Sequence, residues 1–249
     1  MNVNYSMNKG ALVEKSTHKR VYFSLILRSL LFIVTGFAIV GIVALAGFDN
    51  PIKAAEKWWP YQAIAANILT FFIIRHFLKK EGLSYKSMFA GPPIRGWKKV
   101  QEYAILLVAG IVGGAVPLYV SSYLILGSFI PPATHFQELP VLFAAIALIV
   151  FPLTNALVEL PLYIGYALPR LSGKTSALLL VSLGLALQHA FLPLVFEADY
   201  MLWRVVAFIP LAIIVGFIFA KTKRLWPIVV VHFLMDLQLV IQIFINSIG

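Results

Sequence analysis

The chain contains no cysteine among its 249 residues. That excludes disulfides, thiol nucleophiles and cysteine-ligated metal sites, and it says little about redox compartment. Charge is also scarce. Only 12% of residues are Asp, Glu, Lys or Arg, against about 25% in an ordinary soluble domain. Acidic residues are the scarcest, ten against twenty basic ones, which leaves a net charge of +10. There is no Gly-rich phosphate loop, internal repeat or low-complexity segment. What fills the chain instead is apolar: 61% of residues are hydrophobic and the mean hydropathy is +0.90, where a soluble domain carries about 45–50%. This is the composition of a polytopic membrane protein. Its positive charge reads as basic cytoplasmic loops beside a lipid bilayer and not as a nucleic-acid surface.

A spanning helix needs about 20 apolar residues, so the length allows roughly seven spans in an all-α bundle. Residues 1–20 read as a basic tail with Lys9, Lys15, Lys19 and Arg20, and residues 21–249 as one membrane domain. The apolar run Val21–Ala46 is too long for a signal-peptide core and reads as a retained first span. Arg28, in its first turns, is expected to snorkel to the interface. Further spans are predicted over Tyr61–Phe77, Tyr103–Leu126, Val141–Leu168, Ser176–Phe196, Val205–Ala220 and Leu225–Ile248. Gly110, Gly113 and Gly114 suit close helix packing in the third. Lys and Arg gather at the N-terminus, over Lys79–Lys99, at Arg170 and Lys174, and over Lys221–Arg224. This predicts a multi-pass protein of the cell membrane with a cytoplasmic N-terminus and, with seven spans, an outside C-terminus. Trp58, Trp59, Trp97, Trp203 and Trp226 all fall at predicted interfaces.

Ionisable residues inside apolar runs mark function by default. The stretch Asn155–Leu171, N-A-L-V-E-L-P-L-Y-I-G-Y-A-L-P-R-L, carries one carboxylate, Glu159. Pro161 follows two residues later; its ring and missing N–H free the carbonyl of Leu157 and kink the helix beside the acid. Downstream, His189, His232 and Asp236 lie in similarly apolar surroundings. A rise of ~1.5 Å per residue puts Glu159 ~13 Å, His232 ~10 Å and His189 ~20 Å from the cytoplasmic ends of their spans. Asp236 is one turn beyond His232 on the same face. The four can therefore share a cavity near the membrane middle, biased towards the cytoplasm. Each alone also has a purely structural reading, as a hydrogen-bonding group between helices. As a lone buried charge, Glu159 is expected to cost stability. His76 and His135 read as interfacial or loop residues. Pro193 cannot donate to the carbonyl of His189, which leaves that oxygen available.

The segment Glu159-Leu160-Pro161-Leu162-Tyr163-Ile164-Gly165, followed by Leu168-Pro169-Arg170-Leu171, resembles an E-E-x-x-x-R-G…L-P-R-L motif. Leu185-x-x-x-His189 resembles F-x-x-x-H. Thr222-Lys223-Arg224-Leu225-Trp226-Pro227, running into His232-x-x-x-Asp236, resembles H-x-x-x-N/D with its usual lead-in. Order and spacing over about residues 140–240 resemble the CPBP family, the CAAX-protease and bacteriocin-processing intramembrane proteins, also called the Abi family.

The resemblance implies an intramembrane endopeptidase in which a Glu and a His activate water against a peptide bond, while a second His and an Asn hold the oxyanion. Carried over, Glu159 is the base, His189 its partner, and His232 with Asp236 the oxyanion side. Desolvation makes a carboxylate a stronger base, and donors in a dry cavity stabilise charge strongly. The substrate implied is a membrane-associated peptide or protein, in some family members a prenylated one. The departures are Leu160 for the second Glu, Ile164 for the Arg, Leu185 for the Phe and Asp236 for the Asn. Loss of the Arg removes a cation that would orient the glutamates. Asp236 either stays protonated or holds His232 in one tautomer. A cofactor-free mechanism is expected. The alternative is a zinc site made of Glu159, His189, His232 and Asp236, though no dense ligand motif such as H-E-x-x-H is present. A second functional reading is a degenerate homologue that serves as a bacteriocin-immunity or scaffold membrane protein. A transporter is a third, resting only on midplane polar groups and broken helices.

Overall fold

The computed structural model describes residues 3–171 and 175–249, and side chains from residue 18 onward except residues 172–175. The basic side chains of Lys9, Lys15 and Lys174 lie outside that description. The described residues form helices joined by turns and irregular connections, with no strand. In order the helices are α1 (Val3–Leu45), α2 (Pro51–Ala55), α3 (Trp59–Lys80), α4 (Trp97–Gly110), α5 (Val116–Leu126), α6 (Val141–Leu160), α7 (Leu168–Leu171), α8 (Thr175–Gln188), α9 (Ala198–Thr222) and α10 (Trp226–Ile248). A π-helical stretch, Ile111–Ala115, joins α4 to α5, and another, Pro161–Ala167, joins α6 to α7. Six continuous helical segments are long and apolar enough to cross a membrane, and α8 is a shorter apolar seventh. The tail expected over residues 1–20 is helical from Val3 and continuous with the first span.

The helices alternate in direction, and the charges confirm which ends lie together. At one end the carboxylate of Glu81, just after α3, binds Arg170 of α7 with oxygen–nitrogen distances of 2.5 and 2.9 Å and lies 3.9 Å from Arg20 of α1. Glu102 of α4 pairs with Arg224, just before α10, at 2.8 Å. This is the end where the basic loops gather. The opposite end is aromatic: the Trp59 indole donates to the His135 carbonyl at 3.1 Å, and the Trp203 indole to that of Leu118 at 3.0 Å.

Small residues and helix irregularities set the packing. A Cβ on Gly113 would come within 2.8 Å of Ile214, and one on Gly110 within 2.7 Å of the Met235 sulfur. These glycines therefore let α4 and its π-helical continuation approach α9 and α10, as the sequence suggested. Pro161 does not end its helix. The backbone widens into the π stretch, and the carbonyl freed at Leu157 accepts a hydrogen bond from the Tyr85 hydroxyl.

The fifth predicted span differs from the observed one. Helix α8 has 14 residues, ~21 Å against a hydrocarbon core of ~30 Å. It passes into a 3₁₀ turn at His189–Phe191 and then into an irregular segment. Pro193 has no N–H with which to continue the ladder. Instead the Arg204 guanidinium reaches the carbonyls of His189 and Leu192, at 3.4 and 3.5 Å. Residues 192–196, expected inside the span, are consequently part of a connection, and His189 sits at a helix end facing the bundle interior.

Candidate active site

The π stretch after α6 and the straight run of α10 bring three of the four sequence-selected residues into contact. Glu159 Oε1 lies 3.5 Å from His232 Nε2, and the same nitrogen lies 3.5 Å from Asp236 Oδ2. His232 and Asp236 are one turn apart on α10, as their spacing required. His232 Nδ1 is buried and has no hydrogen-bond partner among the described residues, and both carboxylates stand on the ring's Nε2 side.

His189 stands in the same cavity without touching Glu159: no hydrogen bond or ion pair joins them among the described residues. Its Nδ1 lies 3.0 Å from the Leu185 carbonyl. A carbonyl only accepts, so Nδ1 carries the hydrogen and Nε2 is left for another partner. The ring stacks on Phe208 of α9 with centroids 3.6 Å apart and planes 9° apart, which fixes its orientation.

Two residues that the sequence reading left out complete the site. Arg28 does not snorkel; it has no exposed surface. Its Nη2 donates to Asn155 Oδ1 at 2.8 Å and to Glu159 Oε2 at 3.3 Å. Its Nη1 donates to Asn67 Oδ1 at 2.6 Å and its Nε to Gln188 Oε1 at 2.5 Å. Four helices thus converge on one guanidinium, and Glu159 is not a lone charge. Asn155, one turn before Glu159, is the second. Its amide nitrogen donates to Glu159 Oε2 at 3.2 Å and to Asp236 Oδ2 at 2.9 Å, bridging two carboxylates that would otherwise repel. The two oxygens of Glu159 are therefore unequal. Oε2 takes the contacts from Arg28 and Asn155, whereas Oε1 has only His232 at 3.5 Å.

The side chains open on a largely apolar cavity of about 300 Å³, with Glu159, His189, His232 and Asp236 in its wall. It reaches from Leu106 and Ile228 on the basic side to Trp59, Pro131 and His135 at the opposite end. Below it on the basic side, Leu162, Ile164, Tyr166 and Leu225, each 1% exposed or less, fill the bundle. His135, read from sequence as a loop residue, is in fact buried. Its Nε2 lies 3.2 Å from the Leu192 carbonyl and its Nδ1 3.4 Å from the Tyr200 hydroxyl. Burial, with Arg204 close by, holds its pKa well below the usual histidine range, so it is a neutral ring. Among the described residues no group of three or more His, Asp or Glu has the geometry to hold a metal ion. The carboxylate that would be central to such a site already has a guanidinium on one oxygen.

Residues 140–238 match the family model described as type II CAAX prenyl endopeptidase Rce1-like. No curated protein and no solved structure matches the chain. The matched segment contains Glu159, His189, His232, Asp236 and Asn155, and it excludes Arg28 and Asn67.

Proposed function

Because residues 140–238 match the model of the Rce1-like type II CAAX prenyl endopeptidases, we propose that this membrane protein is an intramembrane endopeptidase acting on a membrane-associated, prenylated peptide or protein. The observation that carries the reading is the inequality of the Glu159 oxygens. A base needs one oxygen fixed and the other free, and here Arg28 and Asn155 hold Oε2 while Oε1 faces the cavity beside His232.

In this mechanism a water lies between Glu159 Oε1 and His189 Nε2. Glu159 takes its proton, and the hydroxide attacks the carbonyl carbon of the scissile peptide. The charge that develops on the carbonyl oxygen is met by the Nε2–H of His232, which Asp236 orients. The proton then passes from Glu159 to the leaving nitrogen as the C–N bond breaks. No metal takes part. Arg28, reaching in from α1, stands where the absent motif arginine left Glu159 without a cation; Ile164, at the motif position, is buried in apolar packing against α9. The N-terminus and the Lys79–Lys99 loop face the cytoplasm, since Lys and Arg are retained there.

The test uses the purified full-length protein in liposomes and a farnesylated peptide with a fluorophore and quencher on either side of the bond. Wild type is expected to cleave it. Glu159→Gln and His189→Ala are each expected to lower the rate by at least the ~10²-fold that general acid–base catalysis contributes. Undiminished function of both variants at normal abundance would remove the catalytic reading and leave a non-enzymatic immunity or scaffold role.

A further inference from the structure

Buried charges in proteins are paired, because a desolvated ion without a counter-ion is costly. Arg28 obeys this rule with Glu159. Arg204 does not. It is 7% exposed, lies in the first turns of α9, and lines the same cavity as Glu159 and His189. The ion pairs among the described residues employ Glu56, Glu81, Glu102, Glu159 and Asp236, and none of them involves Arg204. Its contacts are two long bonds to backbone carbonyls, at 3.4 and 3.5 Å, and the faces of Trp203 and Phe208, at 5.5 and 4.8 Å from the guanidinium carbon to the ring centroids. A guanidinium has five donors. The two carbonyls and the ring faces fix its position, and no carboxylate among the described residues touches it; Glu159 acts on it only from beyond ion-pair distance.

Its position is the informative part. Arg204 Nε binds the backbone of His189 itself, and Phe208 carries the His189 ring as well as the arginine. The guanidinium is therefore built into the support of a cavity-lining histidine. His135, which lines the cavity beyond it, is held neutral and supplies no negative charge. The complementary ligand is a carboxylate, whose planar pair of oxygens matches the guanidinium fork.

We infer that Arg204 is the binding site for a carboxylate of the peptide substrate, seated in the cavity a few residues from the scissile bond. The inference rests on the peptidase reading and specifies what that enzyme selects. A peptide carboxylate has two sources, the chain terminus or an acidic side chain.

The experiment compares three forms of the farnesylated reporter peptide: a free C-terminal acid, its C-terminal amide, and the amide with a glutamate as last residue. Each is presented to wild type, Arg204→Gln and Arg204→Lys in liposomes, with protein abundance measured in parallel. The expected result is that wild type prefers the acid over the amide at least tenfold in kcat/KM, with the difference mainly in KM. In Arg204→Gln that preference falls to within twofold, any loss shared by acid and amide through His189 appearing in kcat and the loss peculiar to the acid in KM, and Arg204→Lys is intermediate. Recovery of the rate by the glutamate-ended amide in wild type alone identifies a side-chain carboxylate as sufficient; failure to recover identifies the terminus. Equal losses on acid and amide in Arg204→Gln, or no acid preference in wild type, overturn the inference and leave Arg204 as a cap for the end of α8. Binding of the fluorescent acid and amide peptides to Glu159→Gln protein, with and without Arg204→Gln, reads the same contact without turnover. If wild type cleaves no peptide yet binds the acid in preference to the amide through Arg204, the peptidase reading fails and the carboxylate site stands. Equal binding of both peptides overturns the site.

Discussion

Arg28 Nη2 lies 3.3 Å from Glu159 Oε2, and the arginine is wholly buried. This pair reverses an expectation drawn from the sequence, that Glu159 is an isolated charge whose removal relieves the bundle. Taking away either partner now strands the other.

Arg28→Met is expected to destabilise the protein by the ~3–5 kcal/mol typical of a broken buried pair, read as a lower thermal unfolding midpoint in detergent. Glu159→Gln alone is expected to destabilise in the same direction. The double variant should recover most of the loss, because no unpaired charge remains. A double variant as unstable as the sum of the two singles would show that Arg28 and Glu159 are not coupled.

Asn155→Leu keeps the branched shape of the side chain and removes the amide that separates Glu159 from Asp236. Hydrogen bonds to charged groups contribute about 1.5–3 kcal/mol, so cleavage is expected to fall roughly 10- to 100-fold. Asn155→Asp, which adds a third carboxylate to the cluster, should be worse than Leu. Equal rates in wild type and Asn155→Leu would mean the bridge has no role in turnover.

Peptide cleavage is expected to persist in excess chelator, since Glu159, His189 and His232 carry out the proposed chemistry unaided. Loss on chelation that zinc restores would replace the glutamate mechanism with a metal-assisted one.

Cysteine introduced at Lys86 is expected to react with an impermeant maleimide only after the cells are permeabilised, as a cytoplasmic loop requires. Labelling in intact cells would invert the topology.

The helical bundle and three touching site residues were legible in the sequence for one reason. An ionisable side chain in an apolar run is conspicuous, and the i, i+4 spacing of His232 and Asp236 guarantees a shared face. Pro161 likewise announced a free carbonyl at Leu157, which Tyr85 takes up. Arg28 was not legible. Its side chain is long enough to reach either the interface or the interior, and what holds it inside are amides on three other helices, 39, 127 and 160 residues away. Nor was the burial of His135, since a histidine between prolines and a loop looks exposed until Trp59 and Tyr200 are seen packed around it. The length of α8 was misjudged because apolar composition continues past His189 while the backbone ladder does not.

The origin of Arg28 on α1 has a consequence for how the protein is made. Synthesis runs from the N-terminus, so the cation is in place before the carboxylate it balances emerges on α6. An acidic helix that would be costly to bury by itself finds its counter-ion already waiting. The segment 140–238 that matches the family model cannot, on this account, be grafted or expressed without the first helix. Severing α1 and supplying it later as a separate chain should rescue the remainder only when the two meet during insertion.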